Sequence, residues 1–362
     1  MSTFNLDNIL SQFLIEGKVE SVKPLGNGLI NDTFRVVTEG DAPDYVLQRI
    51  NNNIFTDVDL LQHNIEAVTG HIRRKLEAAG ADDIDRKVLR FVPTQQGKTY
   101  YLDNEGRYWR VSVFIPDAVT YEQVDPTSSR NAGKAFGEFE SMLVDLPEQL
   151  GETIPDFHNM ELRARQLQEA IEQDKAGRAA GVADIIADLQ KDMHEMCKAE
   201  RLFREGKLPK RICHCDTKVN NMMYDKQGNV LCVIDLDTVM PSFVFSDYGD
   251  FLRTGANFVA EDDPKIENVG FNQDIFRAFT EGYIESARSF LTPVEVENLP
   301  YAVALFPFMQ CVRFFADYLN GDTYYKIAYP EHNLVRTRNQ QALYHRVTDN
   351  YDMMDNFIRT LI

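Results

Sequence analysis

The stretch that decides the fold runs from Arg211 to Met240 and reads RICHCDTKVNNMMYDKQGNVLCVIDLDTVM. Met222-Met223-Tyr224 predicts a short apolar strand, and Gln227-Gly228-Asn229 predicts a hairpin turn. Val230 to Ile234 is apolar throughout and predicts the second strand of the hairpin. Asp235 follows directly. The stretch therefore predicts a small β-hairpin with a carboxylate at its exit.

Two more polar residues precede this hairpin, Asp216 and Asn221. We expect them to lie with Asp235 at the ends of the hairpin, facing a common cleft. Transfer of a γ-phosphoryl group needs a carboxylate that orients the attacking hydroxyl and accepts its proton. It also needs oxygen ligands for Mg²⁺. Each of these residues alone is more often a turn cap or a strand end, but the ordered set favours a phosphotransferase site.

A family resemblance follows from the same residues. The run from His214 to Asn221, HCDTKVNN, followed by Val233-Ile234-Asp235, resembles the catalytic-loop and metal-binding motifs of the aminoglycoside phosphotransferase and choline kinase superfamily. The resemblance implies a protein-kinase-like fold that uses ATP and Mg²⁺. On that match Asp216 is the catalytic base, and Asn221 and Asp235 are the metal ligands.

A narrower resemblance extends from Gly26 to about Arg338. The segments HCDTKVNNMMYD, VIDLDTVMP, SDYGDFLRTGA, RFFADYLNGDTYY and YPEHNLVRTR are similar to those of bacterial N-acetylhexosamine 1-kinases. This likeness implies transfer of the ATP γ-phosphate to the anomeric hydroxyl of N-acetylglucosamine or N-acetylgalactosamine. It also implies that Arg313 and Tyr324, together with Asp216, contact the sugar.

The hydrophobic pattern divides the chain in two. We predict an α+β fold with a small sheet-plus-helix lobe for nucleotide over residues 1–115 and a larger, mostly helical catalytic and substrate-binding lobe over residues 116–362. In the first lobe the predicted elements are a helix over 5–16, strands at Val19–Leu25, Thr33–Thr38 and Tyr45–Ile50, a helix capped by Thr56, and strands at Val88–Val92, Thr99–Leu102 and Tyr108–Phe114. Residues 160–204 predict a long helical stretch, read as one helix or two.

The nucleotide is expected at the loop LGNGLINDTF, Leu25 to Phe34. Gly26 and Gly28 permit close backbone approach to phosphates, and Asn31 and Thr33 complete the predicted contacts. An ordinary hairpin turn is the alternative interpretation of the two glycines.

Kinases place a lysine on the next strand, paired with a helix glutamate. Here Gln48 falls at that position, Arg49 follows it, and Glu66 is the candidate helix partner. Strand alternation puts Gln48 and Arg49 on opposite faces, so only one of them is expected to reach phosphate. Residues 108–115 are the expected adenine edge.

Acidic side chains beyond the hairpin and a polar run near the C-terminus have two interpretations each. Asp237, Asp247 and Asp250 either brace the metal site or cap turns, and Asp237 ranks first because it is nearest to Asp235. His332, Asn333, Arg336 and Arg338 either bind substrate or fix a loop. Arg313 and Asp317 are four residues apart, so they share a helix face, with a surface ion pair as the alternative.

Composition narrows the function classes. The formal net charge is −18, which disfavours binding to nucleic acid or to an anionic membrane. Five cysteines in a long chain without a signal-peptide pattern predict reduced thiols and a cytoplasmic protein, with no membrane-spanning segment. The oligomeric state is left open. A kinase of homoserine, choline or an aminoglycoside is the alternative to a sugar kinase, and a non-catalytic nucleotide-binding protein is the third hypothesis, favoured only by the missing lysine.

Overall fold

The computed structural model describes residues 4–26 and 30–362. In chain order its strands are β1 Val19–Pro24, β2 Asp32–Thr38, β3 Tyr45–Ile50, β4 Tyr101–Leu102, β5 Tyr108–Val113, β6 Arg211–Cys213, β7 Met222–Tyr224, β8 Val230–Val233 and β9 Met240–Ser242. Its α-helices are α1 Leu6–Leu10, α2 Val58–Ala78, α3 Pro126–Leu143, α4 Met160–Gln173, α5 Ala183–Met196, α6 Lys198–Arg204, α7 Phe245–Gly255, α8 Gln273–Ala287, α9 Pro293–Glu297, α10 Leu299–Leu319, α11 His332–Thr348 and α12 Tyr351–Arg359.

The first compact unit is built on an antiparallel five-stranded sheet in the order β1-β2-β3-β5-β4. Strand β3 pairs with β5 so that Gln48 lies opposite Arg110. Helix α2 begins at the Asp57 cap, whose carboxylate accepts the Leu60 N–H, a common way to satisfy a free donor at a helix start. The buried side chains of the sheet and of α1, with Trp109 fully enclosed, form the core of this unit.

The first unit is not one continuous segment. It consists of the described residues up to Val119 together with Asp145–Pro155 and Met223–Met240. The buried Asn64 of α2 fastens both later segments, because its amide nitrogen donates to the carbonyl oxygens of Gly151, at 2.8 Å, and Val239, at 2.9 Å. The first unit therefore does not end at residue 115. The division of the chain into two lobes at that residue stays a prediction.

The second unit is mainly helical and comprises Thr120–Val144, Asp156–Met222 and Pro241–Ile362. Helices α3 and α8 cross at very short range, which glycine makes possible. A Cβ on Gly133 would lie 2.1 Å from the carbonyl oxygen of Phe279, and one on Gly282 would lie 2.0 Å from that of Arg130. This close crossing lets the Tyr283 hydroxyl of α8 donate to Glu140 of α3 at 2.5 Å.

Helix α10 is the central apolar helix of the second unit. Its 21 residues are long and apolar enough to cross a membrane by length and composition, a feature that the sequence analysis did not identify. However, 89% of its apolar window is buried inside the protein. That is the environment of a core helix in a soluble protein.

The structure corrects several predicted elements. The first helix spans only Leu6–Leu10, the cap of α2 is Asp57 instead of Thr56, and residues 160–204 form three helices. Residues 88–92 are not a strand: Phe91 makes a single isolated bridge to Ser112. The apolar residues Val88 and Val92 are buried there all the same, so burial in a loop produced the strand-like pattern.

Candidate active site

The catalytic-loop motif lies in the second unit, between β6 and β7. Asp216 follows Cys215, which has a left-handed backbone with a φ of 63°. The amide nitrogen of Asn221 donates to the backbone oxygen of Asp216 at 2.7 Å and to its carboxylate at 3.1 Å. Lys218 pairs with the same carboxylate at 2.8 Å. Hydrogen bonds thus join Asp216 and Asn221, and the carboxylate has two defined neighbours, Asn221 and Lys218.

Asp247 of α7 holds this loop from behind. Its two carboxylate oxygens accept the backbone N–H groups of His214 and Cys215, both at 2.7 Å, and its carbonyl oxygen accepts the Thr217 hydroxyl at 2.8 Å. Three bonds from one buried residue fix the three residues around Asp216. Asp247 therefore braces the catalytic loop. Of the two roles that the sequence left open, bracing or capping a turn, its hydrogen bonds support bracing.

Glu140 lies against Asp247 in the interior, with Cys213 as the third member of the group. Burial, and next the charge of Asp247, raise the pKa of Glu140 well above its ordinary value. One carboxylate oxygen accepts the Tyr283 hydroxyl. The other has no hydrogen-bond partner within the described part of the chain, although Asp247 lies beside it. Glu140 and Asp247 are thus two neighbouring buried carboxyl groups behind the loop, and burial favours the protonated form of Glu140.

Asp250 and Arg253 form a second buried pair on α7. Arg253 donates to Asp250 at 3.1 Å and to Glu261 at 2.7 Å. Burial, opposed by Arg253 and reinforced by the Asp216 charge, raises the pKa of Asp250. Asp250 therefore lies close enough to Asp216 to interact with its charge, and Arg253 neutralises it.

In the first unit, Asp235 leaves β8 with a left-handed backbone, with a φ of 59°. A short 3₁₀ turn over Leu236–Thr238 follows. Within it Asp237 is buried and held from three directions: its carboxylate forms an ion pair with Arg110 at 2.5 Å and accepts the amide N–H of Asn31 at 2.7 Å, and its carbonyl oxygen accepts the Thr153 hydroxyl at 2.9 Å. Asp237 therefore braces the turn that carries Asp235.

Arg110 stands beside the position at which a kinase lysine is expected. Its Nε donates to the side-chain oxygen of Gln48 at 3.0 Å. One of its terminal nitrogens donates to the side-chain oxygen of Gln62, on α2, at 3.4 Å. Arg49 faces the other way and pairs with Asp32 at 2.6 Å in a partly exposed bridge. Of the two β3 side chains, Gln48 belongs to the inner network and Arg49 to the surface.

Glu66 lies one turn beyond Gln62 on α2 and is exposed. It accepts the Thr99 hydroxyl, and no hydrogen bond or ion pair joins it to Gln48 or Arg49 within residues 4–26 and 30–362. The structure therefore does not bring together the predicted strand–helix pair. The inward residue at this level is Gln62, because its position falls on the buried face of α2.

The predicted phosphate loop is only partly described. Gly26 has a φ of 68° and open space around its Cβ position, whereas Gly28 lies outside the described residues. Thr33 accepts from Gln48 at 3.3 Å. The side-chain oxygen of Asn31 accepts the Asn51 backbone N–H at 2.9 Å, and its side-chain nitrogen donates to Asp237. Asn31 thus ties the loop end to the turn after Asp235, and nucleotide contact by these residues stays a prediction.

The predicted acceptor residues lie at the end of α10 and in the loop that follows. Arg313 is half-buried, with its guanidinium 5.5 Å from the Phe157 ring and 5.7 Å from the Tyr325 ring. Tyr324 is 70% exposed and packs edge-on against Tyr325 at 4.8 Å. Arg313 bonds to Gln310, not to Asp317, so the surface ion pair that the spacing allowed does not form.

Asp317 is instead the anchor of this loop. Its carboxylate accepts the backbone N–H groups of Thr323, Tyr324 and Tyr325 at 2.8–3.0 Å. Asn333 donates to Asp317 and to Asp322, both at 2.9 Å. The loop that presents Tyr324 is therefore fixed by a buried carboxyl side chain that accepts several hydrogen bonds at once, which is a strong form of loop restraint.

Three members of the polar run, His332, Asn333 and Arg338, fix structure, as one of its two interpretations proposed. His332 accepts the Ala328 N–H, Asn333 holds the acidic anchors of the loop, and Arg338 pairs with Asp184. Arg336 lies over the Phe314 ring at 5.3 Å.

Sequence reasoning missed Arg110, Gln62 and Glu140. Arg110 becomes visible only through the β3–β5 register, and Glu140 only through the α3–α8 crossing. The helical periodicity of the apolar residues in α2 was the one sequence signal that could have placed Gln62 on the buried face.

The donor atoms near the motif suit a hard cation. The described hydrogen bonds of the Asn221 side chain use its nitrogen, so the amide oxygen is the atom that would bind a metal. Asp235, the other predicted ligand, offers a carboxylate oxygen in the first unit. Oxygen-only ligands of this kind fit Mg²⁺.

Solved structures share this fold. The chain is similar to an aminoglycoside phosphotransferase from Alicyclobacillus acidocaldarius subsp. acidocaldarius DSM 446, with 12% identity, 98% of each chain covered and a TM-score of 0.65. It is also similar to a choline kinase from Cryptosporidium parvum Iowa II, with 13% identity, 94% of this chain and 92% of that chain covered, and a TM-score of 0.54. A spectinomycin phosphotransferase in complex with ADP and spectinomycin aligns with 13% identity, 98% and 99% coverage and a TM-score of 0.54.

These likenesses confirm the predicted kinase-like fold, with an antiparallel sheet in its N-terminal part and a larger helical C-terminal part. The family model described as the phosphotransferase enzyme family matches residues 21–283. That span is more than half of the 362 residues, so the protein belongs to the phosphotransferase enzyme family.

Proposed function

We propose that this protein transfers the γ-phosphoryl group of ATP to a hydroxyl of a small sugar, and that the acceptor is the anomeric hydroxyl of N-acetylglucosamine or N-acetylgalactosamine. The observation that carries the proposal is the fixed carboxylate of Asp216, set by Asn221, Lys218 and the Asp247 brace. The sugar specificity is supported by the sequence resemblance described above.

In the proposed reaction the anomeric oxygen bonds to the γ-phosphorus, and the bond from that phosphorus to the β–γ bridging oxygen breaks, releasing ADP. Asp216 orients the hydroxyl and accepts its proton. Lys218 lies beside Asp216, where a cation offsets negative charge that develops on the transferred group. Asn221 and Asp235 would hold Mg²⁺, which neutralises triphosphate charge when bound.

An ADP-release assay with an acceptor panel tests the proposal. The panel contains N-acetylglucosamine, N-acetylgalactosamine, choline, ethanolamine, homoserine and an aminoglycoside. We expect turnover with an N-acetylhexosamine and parallel loss of its reducing end, because phosphorylation at the anomeric carbon blocks ring opening. ADP release with an intact reducing end would place the phosphate on another hydroxyl, and no turnover with either sugar would reject the sugar assignment.

A kinase of another small alcohol is the second candidate, since similar structures include a choline kinase and a spectinomycin phosphotransferase. Turnover with one of those acceptors and not with sugars would select it. A non-catalytic nucleotide-binding protein is the third candidate. Its support was the missing lysine, and the Arg110 network supplies a cation close to that position. We also propose a cytoplasmic location, in keeping with the buried state of α10.

A further inference from the structure

Three arginines of the second unit gather around the proposed acceptor end. Arg163, Arg313 and Arg336 are each half-buried. Their described bonds go to neutral groups: Arg163 to the Phe157 carbonyl and Gln166, Arg313 to Gln310, and Arg336 to the Lys326 carbonyl and Asn333. Among the ion pairs of residues 4–26 and 30–362, none joins these three to a carboxylate. We call Arg163, Arg313 and Arg336 the arginine cluster.

Aromatic rings separate the members of the cluster. Arg313 lies over Phe157 and Tyr325, and Arg336 lies over Phe314. The Phe314 and Tyr325 rings are themselves in contact, with centroids 4.7 Å apart. An ammonium ligand is commonly bound by such ring faces. Here guanidinium groups of the protein already occupy them.

The electrostatic surroundings of the arginine cluster also disfavour the binding of a further cation. Burial, then the charge of Arg313, lower the pKa of Arg163 to about 10. Burial, then Arg313 and Arg163, lower the pKa of His158, which therefore stays neutral at pH 7. Of the acids nearby, Glu261 bonds to Arg253, Asp156 is exposed and attracts Arg163, and Asp317 is held by backbone N–H groups and by Asn333. An added positive charge at this place would be repelled by the guanidinium groups of the cluster.

The cluster belongs to the same unit as Asp216 and is linked to it electrostatically. The charge of Arg336 contributes to lowering the pKa of Glu261, which pairs with Arg253. Arg253 pairs in turn with Asp250, whose pKa is affected by the charges of Asp216 and Lys218. Arg336 therefore belongs to the electrostatic surroundings of the catalytic loop.

We propose that Arg163 and Arg336, together with Arg313, are specificity-determining residues that select acceptors without an ammonium group. Resting on the function proposed above, this inference assigns the acceptor to neutral or acidic sugars that offer carbonyl, carboxylate or hydroxyl oxygens to guanidinium donors. It separates this protein from phosphotransferases of cationic alcohols. Guanidinium donors match planar oxygen acceptors well, whereas like charges brought together in a partly buried site are strongly disfavoured.

Three sugars that differ at one position provide the test: N-acetylglucosamine, glucose and glucosamine. Glucose controls for the loss of the acetamido group, so the glucose-to-glucosamine ratio of kcat/KM isolates the ammonium charge. We expect this ratio to be at least about tenfold in the wild type at a pH where the amine is protonated. We expect Arg163→Gln and Arg336→Gln each to reduce it, while Arg163→Lys, which keeps the charge, retains it. Arg338→Gln is the matched control on α11, since Arg338 pairs with Asp184, and it should leave the ratio unchanged.

The outcomes separate the two proposals. Equal turnover of glucose and glucosamine, or a ratio that neither glutamine variant changes, overturns the charge selection while the sugar kinase assignment stands. Turnover of choline or an aminoglycoside overturns both. If no sugar is turned over, the function is rejected, and calorimetric binding of the same three sugars decides the inference: glucosamine binding as tightly as glucose, or no binding of any of them, overturns it.

Discussion

Removing the guanidinium of Arg110 should destabilise the first unit by an amount that the structure allows to be bounded. The Arg110 and Asp237 side chains are 3% and 5% exposed and lie 2.5 Å apart. Loss of one partner from a buried pair leaves the other charge uncompensated and typically costs about 3–5 kcal/mol. We therefore expect Arg110→Met to lower the free energy of unfolding of this unit by about that amount.

Arg49→Met is the matched control, since Arg49 lies on the neighbouring strand and its pair with Asp32 is 37% and 45% exposed. An exposed pair contributes about 0–1 kcal/mol, so the two variants should differ clearly. The assay is urea unfolding followed by the fluorescence of Trp109, the one tryptophan of the chain. Trp109 is fully buried in the first unit, so its signal reports that unit separately.

A double-mutant cycle completes the test. Because Asp237→Asn removes the buried charge that Arg110→Met leaves behind, the double variant should be less destabilised than the sum of the two single changes. A midpoint for Arg110→Met no lower than that for Arg49→Met, or strict additivity in the cycle, would refute the reasoning. If Asp235 binds Mg²⁺ as proposed, Arg110→Met should also raise the Mg²⁺ concentration for half-maximal activity.

The remaining predictions concern the second unit. Asp216→Asn should lower kcat by roughly 10²–10⁴-fold, as loss of a proton acceptor does, with ATP binding by calorimetry unchanged; unchanged kcat would return the non-catalytic hypothesis. Folded-state burial raises the pKa of Glu140 above its ordinary 4.5, so the folded protein binds more protons than the unfolded chain above that pH and its stability falls as pH rises. Glu140→Gln has no proton to lose, and circular dichroism in urea should show a smaller decline from about pH 5 to 9 than in the wild type; equal slopes would contradict a protonated Glu140. Asp317→Asn weakens the anchor of the Tyr324 loop, where each charged bond contributes about 1.5–3 kcal/mol, so the acceptor KM should rise about tenfold or more while the KM for ATP stays constant; a change in the ATP KM alone would count against the anchor role.

Local patterns predicted much of this fold because they depend on neighbouring residues. The bounds of β3 and the hairpin β7–β8 follow from apolar runs and turn residues, and the motif from Asp216 to Asn221 folds as a local loop whose bonds span five residues. The capping box that starts α9 is equally local, because it joins Thr292 and Glu295, three residues apart.

The parts that could not be predicted depend on contacts between distant segments. Arg110 faces Gln48 across 62 positions of the chain, and Glu140 meets Tyr283 across 143. No local pattern reports such a meeting. Glu66 was favoured as the helix partner because family logic asks for an acid, but helix phase places Gln62 on the inner face instead. The predicted strand over residues 88–92 shows the converse error: the segment pairs with β5 at the single bridge of Phe91, and its burial imitates a longer strand.

The assembly of the first unit from three separated segments has a consequence for synthesis on the ribosome. When residue 119 has been made, Arg110 is already present, but Asp237 and the carbonyl of Val239 that Asn64 binds are still more than a hundred codons away. At roughly 5–20 residues per second this gap lasts on the order of ten seconds. During that interval the nascent sheet carries an interior cation with no counter-charge, so the N-terminal part of the chain completes its folding only after much of the helical part has been translated.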